Sequence, residues 1–168
     1  WERHPETMET ALARHDELLR RAVESHHGRV VKTTGDGAYA VFPAVSDATA
    51  ATLEFQQALA AESWPELAPD TLRARTGLHT GEAESRDGDY HGSTLNRAAR
   101  IMSIGHGEQI LLSGTTAQLA MGRLPPAANL RDLGQYRLRG LTGPALFAEV
   151  AAAYQEMFAD PDGRVRAS

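Results

Sequence analysis

Cysteine is absent from the 168 residues, which excludes disulfides, thiolate nucleophiles and cysteine-ligated zinc. That absence suits a reducing compartment such as the cytoplasm. No apolar run approaches the ~20 residues that a membrane-crossing helix needs, and no signal peptide is visible. An excess of positive charge is missing as well. The net charge of −5 argues against a protein that grips duplex nucleic acid by its phosphates, while leaving room for a local basic pocket around a nucleotide. There is no initiator methionine at Trp1, so the chain reads as a fragment. It has no internal repeat and no low-complexity segment. What is present is ordinary for one globular domain, long enough to bury roughly 70% of its unfolded surface.

Pro5 to about Ser25 reads as an amphipathic helix. Met8, Ala11, Leu12, His15, Leu18, Leu19 and Ala22 recur at three- and four-residue spacing, with Asp16/Arg20 and Glu17/Arg21 as exposed pairs. His15 on the apolar face reads as a packed core histidine. Arg29 to Phe42 follows, two β-branched and aromatic runs around Gly35-Asp36-Gly37, which is a hairpin signal. Ser46-Asp47 then predicts the cap of a second helix to about Glu62, with Ala48, Ala51, Phe55 and Ala58 facing inward. Leu72 to Glu82 alternates like a strand, and Glu84 to Gly92 reads as a polar loop. Thr94 to Ile104 is helical, Gln109 to Ser113 is a short buried strand, and Gly114 to Met121 is a short helix. Two more strands are predicted near Leu130 to Leu138 and Ala145 to Val150. The domain is expected to occupy residues 1–153, and 154–168 to form a polar tail. Strands interleaved with helices suggest an α+β sandwich, sheet on one side and helices on the other.

Three features carry chemistry. Glycines at 35 and 37 let the backbone take positive φ and let a ligand approach, holding Asp36 out where a carboxylate can meet a cation. Asn96 and Arg100 lie four apart and share a helix face, opposite Leu95, Ala98 and Met102. Arginine suits phosphate because its planar fork donates in parallel. Lys32, in an apolar strand, needs a group that accepts its protons. Beside Asp89 it forms a donor and an acceptor complementary to the N1 and N6 edge of adenine. The plainer readings are a solvated turn aspartate, an edge-strand lysine, a polar helix stripe and an aspartate that only forms a turn.

Taken in order, Lys32-Thr33-Thr34-Gly35-Asp36-Gly37, Leu78-His79-Thr80-Gly81, Asp89-Tyr90-His91-Gly92 and Asn96-Arg97-Ala98-Ala99-Arg100 resemble the catalytic domain of class III nucleotidyl cyclases. The likeness is strongest to bacterial adenylate cyclases of the actinobacterial kind, and it runs from Trp1 to about Val150. It implies a ferredoxin-like α+β fold, a mainly antiparallel sheet with helices packed on it. It also implies ATP as substrate, two divalent cations (magnesium or manganese) and a head-to-tail homodimer with shared active sites. Residue by residue, Asp36 matches a metal-binding aspartate, and Lys32 and Asp89 match the pair that recognises adenine. Asn96 matches the residue that orients the ribose, and Arg100 the one that stabilises the transition state. Arg139, in Leu138-Arg139-Gly140, matches more loosely a basic residue for the triphosphate. His79 and His91 fall inside matching motifs with no chemistry assigned.

One departure stands out. The family carries its first metal-binding aspartate on an opening strand upstream of a segment resembling Trp1 to Glu6, so the resemblance implies that this chain lacks that strand. The rival expectation is a catalytically silent cyclase-homology domain serving dimerisation or nucleotide sensing. A polymerase-palm module shares the broad fold but would want a basic groove. Neither nucleic acid nor a membrane is expected as a partner.

Overall fold

A computed structural model describes residues 5–68, 71–86, 89–126, 128–136 and 145–152. The first helix, α1 (Pro5–Ser25), has the predicted bounds. Its apolar positions Ala11, Leu18 and Ala22 are buried, together with Val23. They pack on Phe55 and Leu59 of α2 (Val45–Ala61), with Trp64 and Leu67 closing the cluster. His15 is a packed core histidine, edge-on to the Phe55 ring at 5.2 Å, with Nδ1 2.9 Å from the Asp16 carboxylate. Glu17 pairs back with Arg14, and Arg14 also reaches Glu62 at 2.7 Å. Glu17 thus pairs with Arg14 in place of the expected Arg21. The α2 helix starts before the expected cap: Ala44 is the capping residue without a side-chain bond, and Ser46 and Asp47 lie in the first turn. Asp47 still favours that end of the helix by its charge.

The hairpin forms from β1 (Arg29–Thr34) and β2 (Gly37–Val41). The long strand predicted over Leu72 to Glu82 shrinks to β3 (Thr76–Leu78). Among the described residues its ladder partner is β6 (Ile110–Ser113), parallel over those three residues. Before it, the Ala74 carbonyl accepts instead from the Gln56 side chain at 2.9 Å and from the Glu108 N–H at 2.6 Å. The predicted polar loop contains a small hairpin, β4 (Glu84–Arg86) with β5 (Asp89–His91). The third helix, α3 (Ser93–Ser103), and the fourth, α4 (Gly114–Ala120), lie where expected, the latter capped by the Ser113 hydroxyl. Strands β7 (Ala128–Tyr136) and β8 (Ala145–Ala152) complete a four-stranded sheet of order β3-β6-β8-β7. Residues 154–168 lie outside the described residues.

The core is organised around β6, buried along its length. Ile110 and Leu112 pack with Leu53 of α2, Ala120 of α4 and Val150 of β8. Leu111 turns the other way, to Ile101 of α3 and Phe147 of β8. Helices therefore cover both faces of this sheet, which corrects the one-sided expectation. A continuous apolar run in place of alternation is the mark of a strand covered on both sides.

Candidate functional site

Asp36 sits in the two-residue turn that joins β1 to β2, exposed at its tip. Gly35 has φ +61° and open space around the position of a Cβ. Of the two turn glycines it alone takes positive φ, which fits a hairpin turn with glycine at its first central position. Lys32 is exposed, so water solvates the ammonium that a buried strand could not hold. A register shift follows Val30, and Lys32 pairs with Tyr39. Asp89 opens β5, and its side chain lies outside what the structure describes. Arg139 lies outside the described residues altogether.

Asn96 and Arg100 are both exposed on α3, while Ile101 is buried and Leu95, Ala98 and Met102 are half-buried. The helix is held by an unusually close strand. A Cβ on Gly77 of β3 would stand 2.7 Å from the Ala98 carbonyl and 2.5 Å from the Met102 nitrogen, so only glycine lets β3 and α3 meet this way. Strand β5 touches both α3 and β1. It therefore connects the helix that carries Asn96 and Arg100 to the strand that carries Lys32. The Thr94 hydroxyl ties the start of α3 to the Glu82 carbonyl.

Asp36 also borders a cavity of about 330 Å³. Tyr39 and Ala40 of β2, Thr76 and Leu78 of β3, and Leu12 and Phe55 from the helices line it as well. The other edge of β2 is taken by β1, and the other edge of β3 by β6. Among the described residues, two strands thus turn unpaired edges toward an apolar groove. As for cations, Asp36 offers hard carboxylate oxygens of the kind that magnesium or manganese prefers. The described residues contain no group of three or more His, Cys, Asp or Glu side chains close enough to share an ion. Asp36 belongs to no such group among the described residues.

A polar chain that sequence reasoning left without a role runs beneath α3. His79 Nδ1 lies 2.8 Å from the Ser113 hydroxyl, which lies 2.9 Å from the Thr116 hydroxyl, which donates to Thr80 at 3.2 Å. Burial first, and the Arg97 charge second, push the imidazole of His79 below its usual range. Its partner is 34 positions away in the sequence, so no local pattern could reveal the pairing.

A family model described as "Adenylate and Guanylate cyclase catalytic domain" matches residues 1–150. An uncharacterised protein of Mycobacterium tuberculosis is 43% identical over 146 residues, covering 86% of this chain and 48% of that protein. An adenylate cyclase of Mycosarcoma maydis is 36% identical over 140 residues, covering 70% of this chain and 6% of that protein. Among solved structures, an adenylate cyclase from Trypanosoma brucei described in its monomeric state superposes with a TM-score of 0.80. It does so at 22% identity, covering 99% of this chain and 85% of that one. The chain spans about half the length of the mycobacterial relative.

Proposed function

The chain belongs to the family of adenylate and guanylate cyclase catalytic domains, and from that premise we propose that it is an adenylate cyclase, converting ATP to 3′,5′-cyclic AMP and pyrophosphate. The observation that carries the reading is the exposed Asn96/Arg100 face of α3, linked through β5 to the strand of Lys32. Cyclisation requires the ribose 3′-hydroxyl to attack the α-phosphorus in line. Asn96 orients the ribose for that approach. Arg100 donates to the α-phosphoryl oxygens, where charge grows as the new bond forms. Lys32 donates to adenine N1 and Asp89 accepts from its N6 amine, which favours ATP over GTP. Arg139 is assigned to the triphosphate. Two divalent cations, magnesium or manganese, would when bound ease ionisation of the hydroxyl and hold the leaving pyrophosphate. Asp36 is the ligand for them in this chain.

Activity is proposed to need one more strand, carrying a second carboxylate and seated in the groove between β2 and β3. Supporting this are the two unpaired strand edges, the apolar lining and the position of Asp36 at the groove's border. A cytoplasmic setting belongs to the same proposal, supported by the absence of cysteine. Among the described residues, no helix is long and apolar enough to cross a membrane.

Lys32 and Asp36 stand four residues apart, at most ~13 Å along an extended strand, yet they serve opposite ends of one nucleotide. Two sites shared across a two-fold homodimer resolve this, with metal ligands from one subunit and base, ribose and phosphate contacts from the other. The test mixes Asp36→Ala and Arg100→Ala full-length proteins, lets subunits exchange, and follows cyclic AMP by chromatography. Random pairing should restore about a quarter of the parent activity, because one site of each mixed dimer escapes both lesions. Absence of recovery would end the shared-site reading. A parent protein that makes no cyclic AMP from ATP with manganese or magnesium would favour the silent cyclase-homology domain.

A further inference from the structure

Lys32 owes its direction to a defect in its own strand. In an unbroken β1, Arg29 would share a face with Val31 and Thr33, and Lys32 would point the other way. The ladder slips at Val31: Val30 pairs with Ala40, but Lys32 is the residue that pairs with Tyr39. Cross-strand partners share a face, and along β2 the residues Val41, Tyr39 and Gly37 alternate with Ala40 and Ala38. Arg29, paired with Val41, and Lys32, paired with Tyr39, therefore stand on one face of the hairpin. A bulge that re-aims one side chain is a recurrent device near functional sites.

On that side Arg29 meets β5. Its guanidinium carbon lies 5.7 Å from the centre of the Tyr90 ring, within cation–π range. Tyr90 is the central residue of β5 and follows Asp89 directly. The hairpin of Lys32 and the hairpin of Asp89 are separate two-stranded ribbons with no ladder between them. A ribbon of two strands is marginal alone, and among the described residues no ladder sets the spacing between the two base-reading strands. A donor and an acceptor read one base edge only when held within hydrogen-bond geometry of it together.

We propose that the Arg29–Tyr90 stack is the brace that sets this spacing, which makes both of them positioning residues for the choice of base. The inference rests on the reading of Lys32 and Asp89 as the adenine-recognising pair. Neither Arg29 nor Tyr90 is assigned a contact with the nucleotide; they act by holding β5 against β1.

The experiment measures kcat and KM for ATP and for GTP in the full-length protein and in Arg29→Gln, Tyr90→Ala, Tyr90→Phe and the Arg29→Gln/Tyr90→Ala double variant. Loss of the stack should lower the ATP-over-GTP ratio of kcat/KM by about two- to fivefold, the size of an exposed cation–π contact. The change should lie in KM for ATP, with kcat near the parent value. The double variant should be no worse than either single one, because both remove the same contact. Tyr90→Phe keeps the ring and should keep the ratio. An unchanged ratio in an active enzyme, additive losses, or a Tyr90→Phe variant as impaired as Tyr90→Ala would overturn the brace. Failure of the cyclase reading looks different, since the parent would then form no cyclic nucleotide. Equilibrium binding of ATP and GTP to the same variants then decides, and an ATP:GTP binding ratio unmoved by Arg29→Gln would refute the inference.

Discussion

Strand β6 and the β1–β2 hairpin are both short β elements, and they are built to opposite ends. Every residue of β6 is buried, and the strand is paired on both sides, to β3 and to β8. No residue of β1 or β2 is buried, and among the described residues β2 has a single paired edge. The assigned chemistry follows that division. Asp36 and Lys32 belong to the hairpin, Asn96 and Arg100 to the exposed side of α3, and no assigned residue lies on β6. A strand covered on both faces is fixed in place but cannot reach a ligand. An exposed hairpin can reach one but must borrow its rigidity, here from α1 and β5, which both touch β1. Stability and the proposed chemistry thus fall on different elements and should be separable by mutation.

The largest effect should come from the buried side. Leu112 is fully buried, and Leu112→Ala should cost about 2–5 kcal/mol of stability in denaturant unfolding. Turnover per folded molecule should stay near the parent value. A large loss of turnover in the folded fraction would break the separation. The converse substitution, Arg100→Ala, should lower kcat by about 10²–10³-fold, or about 2.7–4 kcal/mol of transition-state stabilisation. Its unfolding free energy should move by no more than about 0.5 kcal/mol, as for an exposed position. If affinity for ATP fell while kcat held, Arg100 would be a ground-state clamp instead.

The smallest effect should appear at His79, which follows β3 and whose ring bonds the last residue of β6. Folding lowers its pKa, so just below the unfolded value of about 6.5 the folded state binds fewer protons than the unfolded state. The contribution of neutral His79 is therefore present above about pH 6.5 and is lost as pH falls through the lowered folded value. His79→Gln should flatten the fall of Tm across that window relative to the parent. An identical pH profile in the two proteins would remove His79 from the account.

The sequence is legible where a segment's own periodicity decides its structure. The α1 helix was legible to its ends because seven apolar or packed positions recur at helical spacing. The exposure of Asn96 and Arg100 followed from the same geometry. Legibility failed where a neighbour decides. The β4–β5 hairpin pairs polar residues around Tyr90, so no alternating apolar face announced it. The shortness of β3 depends on what the Ala74 carbonyl finds across the fold. The first cap of α2 moved because Ala44, without a capping side chain, took the place that Ser46 suggested.

The sequence by itself determined which residues face inward along a helix, where a glycine-bearing turn exposes Asp36, and which ordered motifs mark the family, because each depends on spacing along the chain. Only the tertiary structure decided that α3 rests on a strand through Gly77, that helices cover β6 from both sides and that the slip at Val31 brings Lys32 onto the face of Arg29. The groove between β2 and β3 and the hydroxyl chain from His79 belong to the same class. The physical reason is common to all of them. Close approach, two-sided burial and ladder register are settled by the partner surface, and that surface comes from residues distant in the chain.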